Sequence, residues 1–93
     1  MIHTIKHKGL KLFFEIGNTS GIQHHHAKKL RMQLAALETA TTIEDMNLPG
    51  YRLHSLKGAR QTSWSIRVDK NWRLTFEFIN GNVFLLNYED YHS

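Results

Sequence analysis

The 93-residue chain has no cysteine, one proline and no long apolar run. Without cysteine it forms no disulfides and offers no thiolate nucleophile or cysteine-ligated zinc, so packing must supply its stability. No stretch reaches membrane-spanning length, and the N-terminal residues lack the pattern of a signal peptide. We therefore expect a cytoplasmic protein with no membrane partner.

The charge balance is basic. Twelve Lys and Arg against eight Asp and Glu give a net charge of +4 and a pI near 9.6. This balance favours a polyanionic partner, although a basic charge can also serve only to keep a small domain in solution. The length predicts one domain, residues 1–93.

Two helices are predicted before the strands. Apolar spacing over Leu10–Phe14 indicates a short helix that stops at Gly17, and a second stripe predicts a longer helix from about Gln23 to Thr39. A short strand at Ile2–Ile5 and a helical turn at Ile43–Met46 complete this half of the chain. With the hairpin-linked strands that follow, the pattern predicts an α+β fold, in which two N-terminal helices pack on one face of a mainly antiparallel sheet of about four strands.

Strand alternation begins near Trp64 and continues to the C-terminus. Trp64 and Ile66 share one face of the sheet, while Arg67 lies on the other. A polar turn at 69–71 would set Arg67 directly opposite Arg73. Like charges in opposed positions are destabilising unless an anion lies between them, so the pair predicts a docking point for phosphate.

The dipeptide Asn80-Gly81 predicts a two-residue hairpin turn of type I′. Continuing the ladder from this turn places Tyr88 opposite Arg73, with Asp90 and His92 on the same face. A bulge of one residue would reverse the faces of the last strand.

Three consecutive histidines, His24 to His26, suggest a metal site, since imidazole is a common ligand of transition metals. Adjacent helical residues point in different directions, however, and no acidic residue or cysteine stands nearby in the sequence to complete a coordination shell. We therefore expect no metal and no other cofactor.

For several other polar residues, the sequence is compatible with both an ordinary surface position and a functional role. His54 and Lys57 can be ordinary surface residues or members of a catalytic set, because histidine is the usual acid or base near neutral pH. Tyr88 can stack a base or bind phosphate. The cations of the long helix can be its solvated face or contacts to an RNA backbone; they are Lys28, Lys29 and Arg31.

Several segments, in this order, resemble the HigB-type toxins of the RelE/ParE superfamily, from bacterial type II toxin–antitoxin modules. The resemblance covers nearly the whole chain. Its segments are Ile5–Leu10, Ala27–Arg31, Ala35–Leu37, His54–Gly58, Trp64–Ile66, Asn71–Arg73 and Asn87–His92.

The resemblance implies a RelE-like fold and cleavage of messenger RNA in the ribosomal A site. It also implies inhibition by a HigA-type helix-turn-helix antitoxin, with operator DNA contacted only through that antitoxin. The family's active-site residues fall on His54, Lys57, Arg67, Arg73, Asp90, Tyr91 and His92.

The chain departs from the family pattern at Ser55, Ser63 and Ser93, and none of these changes removes a charged catalytic group. The main alternative is a non-catalytic inhibitor of DNA gyrase, as ParE-type members of the superfamily are. A nucleic-acid-binding module without toxicity is a third hypothesis.

Overall fold

The computed structural model describes residues 1–58 and 61–91. In these residues, two α-helices precede a four-stranded antiparallel sheet whose strands lie in chain order. This confirms the predicted α+β class and the antiparallel four-stranded sheet. The elements are α1 (Lys8–Ile16), 3₁₀ turns at His24–His26 and Ile43–Met46, α2 (Ala27–Thr39), β1 (His54–Ser55), β2 (Ser63–Arg67), β3 (Trp72–Ile79) and β4 (Asn82–Asp90).

Local signals define both ends of α1. The His7 ring accepts a hydrogen bond from the Leu10 amide at 3.0 Å and so caps the first turn. Gly17 ends the helix in the left-handed conformation, with φ 74°, as predicted. The second predicted helix begins differently, because His24–His26 forms a 3₁₀ turn and α2 starts only at Ala27.

Both predicted turns between strands are present. Asn80 and Gly81 have φ values of 50° and 80°, as a type I′ turn requires. The turn at 69–71 places Arg67 opposite Arg73. The opposed arginine pair predicted from alternation is therefore confirmed.

Strand β4 contains one extra residue. Glu77 pairs with Phe84, whereas Thr75, two residues away on β3, pairs with Asn87, three residues further along β4. Leu85 lies in this irregular stretch with a φ of 53°, which a non-glycine residue adopts only in special positions such as bulges. The bulge shifts the register of the rest of the strand.

This shift reverses the predicted faces of the last residues. The predicted pairing of Tyr88 with Arg73 is wrong, because Glu89 lies opposite Arg73. Asp90 pairs with Trp72 and so shares its side of the sheet, facing away from the arginines. Alternation alone could not reveal the change, since the bulge leaves no distinctive residue pattern.

The N-terminal segment runs parallel to β4 but forms two isolated bridges, from Ile2 to Val83 and from Ile5 to Leu86, instead of the predicted short strand. Between them, the amide of the bulged β4 residue donates to the Thr4 hydroxyl at 2.8 Å. The bulge thus interrupts the ladder that a regular strand would need.

A single apolar core joins both helices to one face of the sheet. Each fully buried leucine contributes about 1.5–3 kcal/mol relative to exposure. Core side chains include Leu10, Phe13, Leu30, Leu34, Leu37, Met46, Ile66, Leu74, Phe76, Val83 and Leu86.

None of the helices in residues 1–58 and 61–91 has the length and apolar character of a membrane span.

Candidate functional site

The opposed arginines lie on the sheet face away from the core. The Arg67 carbonyl accepts a hydrogen bond from the side-chain amide of Gln33 at 2.8 Å, and this bond connects β2 to α2. Nη1 of Arg73 donates to the carbonyls of Asp69, at 2.7 Å, and Trp72, at 3.2 Å. Both acceptors are neutral, so the guanidinium is held in place without an ion pair at these two contacts. Two opposed guanidinium groups can attract an anion.

His54 opens β1 and pairs with Ser65 of β2. Its Nδ1 lies 3.0 Å from the Arg52 carbonyl, which can only accept, so in the neutral ring Nδ1 carries the proton. Nε2 then has the free lone pair and accepts from the Ser65 hydroxyl at 3.2 Å. Since the imidazole is exposed, Nε2 can take a proton from a bound substrate.

Small buried polar side chains separate this histidine from the arginines. Ser65 and Arg67 are two residues apart on one face, which is about 7 Å along the strand. Thr75 lies opposite Ser65, and its hydroxyl donates to the Glu89 carboxylate. Sequence reasoning missed Glu89, because only the bulge brings it onto this face. The result is a polar strip with a basic nitrogen at one end and two cations at the other.

Tyr91 follows β4 and meets the same cations. Its amide donates to the Asn71 carbonyl at 2.6 Å, and the Arg73 guanidinium lies 5.5 Å from the centre of its ring. Burial and the Glu89 carboxylate raise the pKa of the Tyr91 hydroxyl, with Arg73 opposing them, so the group stays protonated near neutral pH. Regular alternation along β4 would turn Tyr91 towards the core, whereas the shifted register places its ring beside Arg73.

Two predicted site residues lie elsewhere. Tyr88 is 3% exposed, its ring stacks on Trp72, and its hydroxyl contacts His26 Nδ1 at 2.5 Å and the Gln23 amide at 3.3 Å. The prediction that Tyr88 contacts RNA is therefore wrong. The predicted convergence of Asp90 with the arginines is also wrong, and a catalytic role for this residue stays a prediction.

Two predicted catalytic residues remain, Lys57 and His92. Lys57 is exposed in the turn after β1, the strand that carries His54. His92 lies outside the described residues, so its predicted role stays a prediction. Lys57 therefore lies close in the chain to the polar sheet face, two residues beyond β1.

The cations of α2 lie on the helical side of the sheet and spread in different directions. Lys29 extends over the Tyr51 ring, at 5.4 Å, and Arg31 lies 5.5 Å from the Phe13 ring. Arg31 also lines an apolar groove of about 340 Å³ between α1 and α2. Lys28 is exposed. These residues do not extend the arginine face, and contact between them and RNA stays a prediction.

The histidine run has an acidic neighbour that the sequence did not reveal. Nε2 of His26 lies 2.6 Å from Oδ2 of Asp69, and Nε2 of His25 lies 3.8 Å from the same oxygen. Burial alone would raise the pKa of Asp69, but hydrogen bonds from His26 and from the Trp72 and Asn71 amides outweigh it and hold the pKa well below its usual range. The fold thus brings to these histidines a carboxylate that lies 43 positions from His26 in the sequence.

Fold and site together define a small α+β protein in which one sheet face carries an opposed arginine pair and a histidine. A family model described as the RelE-like toxin of type II toxin–antitoxin system HigB matches residues 3–92. The chain is 53% identical over 92 residues to Endoribonuclease HigB of Proteus vulgaris, covering 99% of this chain and all of that protein. The chain therefore belongs to the HigB-type family of RelE-like toxins.

Proposed function

We propose that this toxin is an endoribonuclease that cleaves messenger RNA in the ribosomal A site and thereby inhibits translation. The observation that carries the proposal is the opposed pair of Arg67 and Arg73 on the same sheet face as the exposed His54. The 53% identity to a protein named as an endoribonuclease supports the same activity.

In the proposed reaction, the 2′-hydroxyl of the RNA attacks the adjacent phosphorus and the bond to the 5′-oxygen breaks. The products are a 2′,3′-cyclic phosphate and a free 5′-hydroxyl. Arg67, Arg73 and Lys57 stabilise the negative charge that develops on the phosphoryl oxygens. Removing one such preorganised donor typically costs 10²–10³-fold in rate, or about 2.7–4 kcal/mol.

His54 is our candidate for the general base. Nδ1 of His54 donates its proton in a hydrogen bond to the Arg52 carbonyl. Nε2 is therefore the nitrogen that can accept the 2′-hydroxyl proton. His92 would supply the proton that the leaving 5′-oxygen takes up, with Asp90 orienting it. Tyr91 would position the RNA beside Arg73.

The shape of the site supports the proposed ribosome dependence. The polar strip has small, buried side chains, Ser65 and Thr75, between its charged ends. Such a surface can stabilise charge but has few groups that hold a flexible RNA strand in line for attack. Positioning can supply about 7–11 kcal/mol of a barrier, and in this proposal the A site of the small ribosomal subunit supplies it.

The proposed partners follow from the family. A toxin of a type II system has an antitoxin, and we propose that it is a HigA-type helix-turn-helix protein. Operator DNA would then be contacted only through the antitoxin. Lys28, Lys29 and Arg31, which lie away from the cleavage face, would contact ribosomal RNA, and the cytoplasm would be the compartment.

The proposal is tested by comparing purified wild type, His54→Ala and Lys8→Ala in translating extracts and on free RNA. Lys8 is an exposed α1 residue and serves as a control for the handling of a surface substitution. We expect rapid cleavage of translated message by wild type and Lys8→Ala, and a large loss in His54→Ala.

Two results would contradict the proposal. Equal rates on free RNA and on translated message would remove the ribosome dependence. Full toxicity of a folded His54→Ala, His92→Ala double variant would remove the nuclease and favour inhibition of DNA gyrase.

A further inference from the structure

On the helical side of the sheet, opposite the arginine pair, three potential metal ligands converge. They come from His25, His26 and Asp69, each of which offers one ligand atom within 4.8 Å of the others. Nε2 of each histidine lies near Oδ2 of Asp69. The two histidines come from the 3₁₀ turn before α2 and the aspartate from the turn between β2 and β3. We propose that this cluster is a binding site for a divalent transition metal such as zinc.

The donor set suits such an ion. Two imidazoles and one carboxylate are borderline ligands that zinc accepts, and three protein ligands leave a fourth position for water. His25 and Asp69 have side chains 70% and 37% exposed, so the ion can enter from solvent. His26 is almost fully buried, so its ring is fixed in position on the protein side of the site.

The ligand spacing requires little movement. In a tetrahedral zinc site with bonds near 2.0–2.1 Å, neighbouring ligand atoms lie about 3.3 Å apart. The His25 and Asp69 atoms are 3.8 Å apart, and those of His26 and Asp69 are 2.6 Å apart. Zinc would therefore replace the short hydrogen bond between His26 and Asp69 and draw His25 inwards.

The surroundings already provide the support that metal-bound histidines usually have. Nδ1 of His26 contacts the Tyr88 hydroxyl, which can donate to this nitrogen or accept from it. In the metal-free protein, His26 donates from Nε2 to Asp69; with zinc on Nε2, the proton resides on Nδ1 and is donated to Tyr88. Such an outer hydrogen bond orients the ligand and fixes its tautomer.

Hydrogen bonds also fix the position of the Asp69 carboxylate. Its Oδ1 accepts from the Asn71 and Trp72 amides, both at 2.9 Å, which holds the carboxylate while Oδ2 faces the histidines. A bound ion would therefore link the start of α2 to the turn that holds Arg73 through the Asp69 carbonyl. No step of RNA cleavage passes through this ion.

The chain offers matched variants for a test. His25→Ala removes an exposed ligand without disturbing the core, and His24→Ala removes its exposed neighbour, whose ring does not belong to the cluster. Asp69→Asn keeps Oδ1 as the acceptor for both turn amides but replaces Oδ2 with an amide nitrogen that cannot ligate zinc.

Zinc binding to chelator-treated protein is measured by calorimetry, and the melting temperature is measured with and without zinc. We expect one zinc per wild-type chain and a rise in melting temperature. Affinity should fall at least tenfold in His25→Ala and Asp69→Asn and change less than twofold in His24→Ala. No saturable binding to wild type, or equal losses in His24→Ala and His25→Ala, would overturn the proposal.

Discussion

Replacing Tyr88 with phenylalanine tests the register of β4, because the shifted strand buries this tyrosine and turns its neighbours towards the arginines. The Tyr88 hydroxyl contacts Nδ1 of His26 at 2.5 Å and accepts from the Gln23 amide at 3.3 Å. Tyr88→Phe keeps the ring and its stacking on Trp72 but removes both hydrogen bonds.

The expected cost follows from burial. His26 is 3% exposed, so water cannot readily replace the lost partner of its Nδ1. A buried polar atom left without a partner costs about 1–3 kcal/mol of unfolding free energy. For a domain of this size, each kcal/mol lowers the melting temperature by about 4–8 °C, which predicts a fall of about 4–24 °C.

Tyr91→Phe is the matched control. Tyr91 is 45% exposed, so its hydroxyl should affect unfolding by less than about 0.5 kcal/mol while affecting cleavage. Thermal unfolding by circular dichroism and cleavage in extracts well below the melting temperature separate the two effects. An unchanged melting temperature in Tyr88→Phe, combined with lost cleavage, would refute the shifted register.

Three further predictions follow from the site and the cap of α1. Arg73→Lys keeps the charge but loses the planar contact to two carbonyls, so cleavage should fall at least tenfold with the fold intact; wild-type rates in extracts would contradict this. His54→Ala should lower cleavage about 10²–10⁴-fold in single-turnover assays on ribosome-bound message, and a loss below tenfold would exclude it as the base. Burial lowers the pKa of His7 in the folded protein below its ordinary value of 6.5. As the pH drops below about 7, the unfolded chain therefore takes up a proton on His7 more readily than the folded chain, and the free energy of unfolding should fall. His7→Asn keeps a capping acceptor and should weaken this dependence in urea unfolding at pH 7.5 and 5.5; an unchanged pH dependence would contradict the assignment.

Much of the fold could be predicted because its signals are local. The turn at Asn80 and Gly81 and the stop at Gly17 depend on backbone conformations that few residue types adopt. The pairing of Arg67 with Arg73 follows from a short turn and strict alternation. Each of these needs only a few neighbouring residues to be read correctly.

The errors arose where distant segments decide the structure. Leu85 has no sequence signature of a bulge, yet its extra position reverses Tyr88 and brings Glu89 to the arginines. Asp69 and His26 are in contact although they lie 43 positions apart in the sequence, so no local pattern could predict the contact. A site drawn from several strands is only as predictable as the register of the least regular one.

The central claim is that the opposed arginines hold RNA for codon-phased cleavage. The most direct measurement maps the 5′ ends of message in translating extracts that contain wild type, the Arg67→Ala, Arg73→Ala double variant or Lys8→Ala. We predict new ends in phase with codons for wild type and Lys8→Ala, and none above background for the folded double variant. Equal phased cleavage by the double variant, or no cleavage by wild type, would contradict the account.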